Sequence, residues 1–93
     1  MLLMIDYKDL IASLKKGREI EFSYNNIIYS ITNYEGIWYF SEEKDDLVKS
    51  QELSDFEDYD KLIKNVSKIT IEGKTIEDLF DNKEYDEGTL YIL

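Results

Sequence analysis

The chain has 93 residues, of which 43% are hydrophobic and 34% are charged, and its formal net charge at pH 7 is −10. It contains no His and no Cys, which excludes the usual zinc sites, a Ser-His-Asp triad, a thiol nucleophile and disulfide bonds. The length suits a single domain over residues 1–93. The sequence has neither an apolar run of about 18 residues nor a cationic leader with a cleavage site, so we expect a cytoplasmic protein without a membrane span.

A first helix is predicted over residues 6–16. Asp6 is a favourable N-cap, and Asp9 three residues later resembles a capping box. Apolar residues then recur at helical spacing, at Tyr7, Leu10, Ile11 and Leu14. Gly17 suits the position that follows a helix. The apolar residues before the helix fit either a hydrophobic staple or a short edge strand, and both alternatives stay open for Leu2, Leu3 and Ile5.

Three strands are predicted over residues 17–41. Apolar and polar residues alternate in 18–24, and Asn25-Asn26 and Glu35-Gly36 both suit two-residue hairpin turns. These two turns fix a register that places eight apolar side chains on one face, which we expect the first helix to cover. The predicted core face consists of Ile20, Phe22, Tyr24, Ile27, Tyr29, Ile31, Trp38 and Phe40.

The opposite face of this meander carries a small apolar patch on a polar background. The patch consists of Ile28, Tyr34, Ile37 and Tyr39. The favoured interpretation is a second core layer under the later helices, because a small domain must bury its remaining apolar residues somewhere. The alternative is a partner or dimer surface, since Tyr is enriched in the centres of interfaces.

The second half of the chain adds shorter elements. They are predicted as a loop at 41–53, a helix at 55–65 capped by Ser54, a strand at 67–72, a turn at Glu72-Gly73, a short helix at 76–80 capped by Thr75, and a strand-like terminus at 89–93. The predicted fold class is therefore α+β: a small single domain with an N-terminal helix on a three-stranded antiparallel meander, followed by a helix, a strand, a short helix and a C-terminal strand.

Negative charge is concentrated in residues 42–60, which hold nine acidic residues and two lysines. That field repels nucleic acid and anionic membranes and attracts basic protein surfaces, so we expect no direct nucleic-acid or membrane binding. The segment is either a solubilising surface or a mimic of phosphates, in which Tyr59 and Tyr85 would stack on arginine. The candidate partner-binding carboxylates are Glu42, Glu43, Asp45, Asp46, Asp55, Glu57, Asp58 and Asp60.

Neither a metal nor a cofactor is predicted. Oxygen ligands for calcium occur in two sets, the first comprising Asp55, Glu57, Asp58 and Asp60 and the second comprising Asp81, Glu84, Asp86 and Glu87. Both sets lack the glycine that an EF-hand loop needs at its sixth position. The glycines stand singly, so there is no Gly-rich phosphate loop either. With so many carboxylates, no particular pair indicates catalysis, and we do not predict an enzyme.

Two segments resemble parts of known proteins. The stretch GREIEFSYNNIIYSITNYEGIWYF (17–40) and the later KITIEGKTIEDLF (68–80) resemble a group of small uncharacterised α+β proteins of Gram-positive bacteria and their phages and mobile elements. The resemblance covers about residues 6–81. It implies a small accessory protein that binds and blocks another protein, and it brings no catalytic residues with it.

The function predicted from the sequence is that of a small acidic protein-binding module without enzymatic activity. In its sharper form, the module inhibits a partner by occupying the partner's basic nucleic-acid-binding surface. Two alternatives remain: a structural homodimer formed through the outer sheet face, and a small-ligand domain or enzyme that uses carboxylates.

Overall fold

The computed structural model describes residues 4–93, so the alternatives for Leu2 and Leu3 lie outside the described residues. The elements in chain order are α1 (Tyr7–Lys15), β1 (Ile20–Tyr24), β2 (Ile27–Tyr34), β3 (Ile37–Lys44), β4 (Leu47–Asp55), α2 (Tyr59–Ser67), β5 (Thr70–Ile71), β6 (Lys74–Thr75), α3 (Ile76–Asp81) and β7 (Tyr91–Ile92). Strands β4-β3-β2-β1-β7 form one antiparallel sheet in that spatial order, and β5-β6 form a separate hairpin. The α+β class is confirmed, with more strands than the sequence predicted.

Both ends of α1 lie where the sequence predicts them. The Asp6 side chain accepts a hydrogen bond from the Asp9 backbone N–H, as an N-cap residue does. At the other end, the Gly17 N–H donates to the Leu14 carbonyl and the Arg18 N–H donates to the Ser13 carbonyl. These two bonds form a Schellman motif, which needs a left-handed residue after the helix, and Gly17 has φ +79°.

Four hairpins share one type of turn. Both central residues of Asn25-Asn26, Glu35-Gly36, Asp45-Asp46 and Glu72-Gly73 have positive φ, which is the type I′ geometry that matches the twist of paired strands. The first two turns set the predicted register, with Phe22 opposite Tyr29 and Ile31 opposite Phe40. The predicted meander is therefore present as three strands of a five-stranded sheet; six residues of its core face are buried, and Tyr24 and Ile27 are partly buried against them.

The loop predicted at 41–53 is wrong. Strand β3 continues to Lys44, Asp45-Asp46 turns the chain, and β4 returns along β3 as far as Asp55. No apolar alternation marks this hairpin, because residues 43–52 are exposed on both faces. A bulge between Trp38 and Tyr39 shifts the register of β4 near its C-terminal end.

The second helix begins four residues later than predicted. Its N-cap is Asp58, whose side chain accepts from the Lys61 N–H, and not Ser54. Ser54 is buried at the end of β4, and its hydroxyl donates to the Asp55 carbonyl. The strand predicted at 67–72 is only Thr70–Ile71, because α2 extends to Ser67. The short helix capped by Thr75 is confirmed, since the Thr75 hydroxyl accepts from the Asp78 N–H.

The core lies between one face of the sheet and the helices. Fully buried side chains from the helices, which include Leu14, Leu62 and Phe80, join those of the predicted core face in one cluster. Phe22 is at the centre of its aromatic part, with ring centroids 5.0 Å from Phe80 and 5.6 Å from Tyr29. The sheet face that contacts the helices is called the inner face below, and the opposite face is called the outer face.

Burial raises the pKa of the Tyr7, Tyr29 and Tyr85 phenols above the ordinary value of about 10. Nearby carboxylates add to this effect for Tyr7 and Tyr29, whereas a hydrogen bond with Ile5 opposes it for Tyr85. The unfolded chain therefore loses these protons first as the pH rises. The contribution is fully present below about pH 10 and is lost as the pH rises through the folded-state pKa values.

We therefore expect the free energy of unfolding in urea to fall as the pH rises above about 10. Tyr29→Phe should make that fall shallower, because one of the shifted phenols is gone. Tyr34→Phe is the control, since Tyr34 is 67% exposed and should leave the slope unchanged. Identical slopes for Tyr29→Phe and the original chain would contradict the assignment.

The C-terminal segment closes the sheet along the free side of β1. The Ser23 N–H donates to the Thr89 hydroxyl, and the Ser23 carbonyl accepts from the Asp86 N–H. Further along, Glu21 pairs with Tyr91, and the Leu93 N–H donates to the Glu19 carbonyl. The backbone groups that β1 directs away from β2 are therefore bonded within the chain.

Candidate partner-binding surface

The outer face of the sheet is uncovered, which overturns the favoured prediction of a second core layer there. All three helices contribute their buried side chains to the cluster on the inner face. On the outer face, Tyr34 is 67% exposed and Ile28 is 36% exposed, and Ile37 and Tyr39 are partly buried. The alternative prediction, a surface for another molecule, fits this arrangement.

The charges on the outer face have one sign. The strand carboxylates that alternation places there are Glu21, Glu43, Glu52 and Asp55. Glu19, just before β1, adds a fifth, which accepts a hydrogen bond from the Asn33 N–H. None of the strand residues on this face is Lys or Arg. The face therefore has no internal counter-charge.

An open trough crosses the outer face from the C-terminal residue to β4. Its lining combines carboxylates, hydroxyls and aliphatic groups: Glu21, Ile28, Ser30, Thr32, Ser41, Glu43, Val48 and Leu93. The hydroxyl oxygens of Ser41 and Ser50 lie 2.9 Å apart on neighbouring strands of this face. Such a surface offers apolar contact, hydrogen-bonding groups and negative charge together.

The predicted acidic candidates separate into two groups at opposite ends of the β3–β4 hairpin. The tip group consists of Glu42, Glu43, Asp45 and Asp46, and the base group consists of Asp55, Glu57, Asp58 and Asp60. Strand β4 has nine residues, so these ends are roughly 26 Å apart at about 3.3 Å per residue. Glu43 and Asp55 face outward, whereas Glu42 lies on the inner side opposite Lys49. Glu52, which the sequence prediction omitted, lies between the two groups.

Several carboxylates near these groups are occupied by structural contacts. Asp58 caps α2, and both carboxylate oxygens of Asp86 accept the turn N–H groups of Asn25 and Asn26 at 3.2–3.3 Å. Asp81 accepts the Tyr7 N–H, and Glu84 forms an ion pair with Lys74 at 3.1 Å. Within residues 4–93, no cluster of three or more acidic side chains is arranged to hold a metal ion.

The two tyrosines that the mimicry hypothesis used for stacking are not free surface groups. Tyr85 is 3% exposed, and its ring lies 4.6 Å from that of Phe80. Its hydroxyl accepts from the Ile5 N–H at 2.9 Å, which fastens the segment before α1 to the core. Tyr59 is partly buried and contacts Phe56 edge-on. The exposed aromatic groups are Tyr34 and Tyr91.

The sequence prediction missed several residues of the outer face that lie in the second half of the chain. Val48, Ser50 and Glu52 belong to β4, which was predicted to be a loop, and Leu93 follows the short strand β7. Val48 is 60% exposed and Leu93 is 67% exposed, although both are aliphatic. The signal that could have found the first three is Asp45-Asp46, since Asp tolerates positive φ in a two-residue turn.

Comparisons of the chain with protein families, with curated proteins and with solved structures gave no match. Among residues 4–93, the helices are too short and too polar to cross a membrane. We therefore infer function from the surface itself.

Proposed function

We propose that the protein is a non-enzymatic binding module whose outer sheet face captures a partner protein with a basic surface. The observation that carries this proposal is the composition of that face: exposed apolar side chains with carboxylates and no cation on its strands. The buried side chains of all three helices belong to the inner cluster, so the outer face remains open to another molecule. Complementary charge would speed the encounter and fix the orientation.

The same charge disfavours the homodimer. A two-fold interface would place the carboxylates of one outer face against those of a second copy. Neither face has a strand lysine or arginine that could pair with these carboxylates and offset their repulsion. Each chain would also bring its net charge of −10. A basic partner removes both costs, because its cations pair with these carboxylates.

The specific form that we propose is an inhibitor of a protein that handles nucleic acid. The outward-facing carboxylates Glu43 and Asp55 lie near the two ends of β4, and Glu52 lies between them, so negative charge extends for roughly 23 Å along the outer face. A groove that binds a phosphate backbone presents rows of Lys and Arg over comparable distances. Occupation of that groove by this protein would exclude DNA or RNA by competition.

Affinity capture from host lysate with two matched charge variants tests the proposal. The outer-face variant is Glu21→Lys/Glu43→Lys/Glu52→Lys, and the control variant is Glu57→Lys/Asp60→Lys/Glu87→Lys. Each changes the net charge from −10 to −4, but the control residues lie outside the outer face. We expect the outer-face variant to bind the captured partner about 10- to 100-fold more weakly, since attractions become repulsions, and the control to bind within about threefold of the original.

Salt provides an independent readout of the same contact. Raising the ionic strength from about 0.05 M to about 0.5 M should release the partner, because screening shortens the range of the attraction. If both variants lost the same affinity for the partner, binding would depend on the net charge of the protein and not on the outer face. Unchanged capture by the outer-face variant at low salt would overturn the proposal.

A further inference from the structure

Strand β4 is an edge strand of the sheet, and it directs a row of backbone N–H and C=O groups away from β3. Because Asp45-Asp46 is a two-residue turn, Lys44 and Leu47 exchange hydrogen bonds, and the pairs then alternate between bonded and non-bonded along the hairpin. Val48 and Ser50 therefore point their N–H and C=O groups away from β3, as does Glu52 opposite Tyr39. In residues 4–93, no hydrogen bond from another segment reaches these groups.

In the described part of the chain, the outward backbone groups of β1 are hydrogen-bonded within the fold, whereas most of those of β4 are not. Along β1, the segment 86–93 bonds the outward groups of Ser23, Glu21 and Glu19. Along β4, hydrogen bonds with the described segments other than β3 occur only at the end near Asp55. There the Asn65 side-chain amide donates to the Leu53 carbonyl, and α2 packs beside the strand. Residues 47–52 are exposed and lack proline, and the strand is far longer than the two-residue β7. A long free edge of this kind is a template for another strand.

The side chains along this edge define what the additional strand must carry. On the outer face, Glu52 and Val48 lie four residues apart, with the small Ser50 between them. A strand laid beside β4 would place one side chain next to each of these positions. A Lys or Arg is favourable beside Glu52, and an aliphatic side chain is favourable beside Val48, which is 60% exposed.

We infer that the free edge of β4 accepts an extended, basic segment of the partner as a sixth strand of the sheet, in the mode known as β-augmentation. This inference rests on the proposed capture of a basic partner and specifies its mechanism. The bound segment presents a basic and an aliphatic side chain four residues apart on the same face. Backbone hydrogen bonds to Val48, Ser50 and Glu52 hold it, and the acidic outer face attracts the protein that carries it.

The occupant is a partner segment and not a second copy of β4. Pairing two β4 strands about Ser50 would set Val48 beside the other copy's Glu52, with no cation on the outer face of either strand. The net charge of −10 on each chain opposes the approach as well. High like charge is one means by which proteins keep exposed edges from self-association.

Selection from a library of random twelve-residue peptides tests the inference, with the best binder as the probe. We expect the selected peptides to share a Lys or Arg four residues from Val, Ile or Leu. The intact protein should bind a copy of the probe that is N-methylated at alternate residues about tenfold more weakly, because N-methylation removes the bonding N–H groups on one edge of the peptide. N-methylation in the other alternate register is the matched control, and it should change the affinity little.

The same contact is tested from the protein side. Ser50→Pro removes an outward N–H without removing a backbone hydrogen bond to β3, a change that edge strands tolerate; the side-chain bond to Ser41 is lost in Ser50→Pro and in Ser50→Ala alike. We expect it to weaken probe binding about tenfold, whereas Ser50→Ala, which keeps the N–H, should bind within about threefold. Equal affinity for both N-methylated registers would overturn the inference. So would a β4-mediated dimer that is dispersed by Ser50→Pro.

The inference and the proposed function fail in different ways. If Ser50→Pro captures the lysate partner as well as the original chain does, while the outer-face charge variant loses it, the outer face binds a folded surface and the edge inference is wrong. If the probe binds through the edge but neither charge variant affects lysate capture, the proposed function is wrong.

Discussion

Phe22→Ala should destabilise the protein by about 3–5 kcal/mol, the range for a large aromatic removed from a packed core. Phe22 is fully buried on β1, and its ring contacts those of Phe80, Tyr29 and Tyr85. Truncation would leave a cavity at the junction of the sheet, α3 and the C-terminal loop. Against a total stability of about 5–15 kcal/mol, that loss removes between about a fifth and all of the free energy of unfolding.

Urea unfolding followed by circular dichroism measures this cost. Ile28→Ala is the control, because Ile28 faces outward from the next strand and is 36% exposed. Its cost should stay below about 2 kcal/mol, because the three carbons that are removed are only partly buried. A cost of Phe22→Ala below about 1 kcal/mol would refute the inward register of β1, and a cost for Ile28→Ala equal to that of Phe22→Ala would refute the open outer face.

Tyr85→Ala should destabilise the protein by a similar amount, about 3–5 kcal/mol. Tyr85 lies in the acidic segment 81–88, yet it is 3% exposed and contacts Phe80 and Phe22. Its hydroxyl also accepts from the Ile5 N–H and donates to the Ile5 carbonyl. The substitution therefore opens a cavity and also releases the segment that precedes α1.

Tyr85→Phe separates these two contributions. It keeps the ring and removes the hydroxyl, so the expected cost is about 1–3 kcal/mol, the penalty for a buried group left without its partner. Tyr34→Phe should change stability by less than about 0.5 kcal/mol, because that side chain is 67% exposed. Equal, small effects of the two Tyr→Phe substitutions would show that Tyr85 is a surface residue.

The parts of the fold that the sequence predicts are those where local chemistry and burial agree. Asn25-Asn26 and Glu35-Gly36 favour type I′ turns, and the alternation around them has one apolar face, so turns and register support each other. Helix α1 has both an N-cap and a terminal glycine. The third hairpin has the same turn geometry at Asp45-Asp46, but its strands are exposed on both faces. Hydrophobic periodicity is then absent, and the hairpin resembles a polar loop.

The second helix shows how a local motif can mislead. Ser54 and Glu57 have capping-box spacing, but β4 extends through Ser54, and tertiary pairing with β3 overrides the local preference. The next residue able to cap, Asp58, does so. The candidate surface was predicted only where its strands were predicted. Ile28, Tyr34, Ile37 and Tyr39 lie on β2 and β3, which the sequence predicted. Val48 and Glu52 lie on β4, which hydrophobic periodicity did not reveal.

The central claim is that the partner contacts the outer face and the free edge of β4, and not the helices. Cross-saturation from the unlabelled captured partner to the 15N-labelled protein measures this most directly. We predict that the largest signal losses occur at residues of β4 and of the outer face, including Val48, Ser50 and Glu52. Losses confined to α1, α2 and α3, with β4 unaffected, would contradict the account.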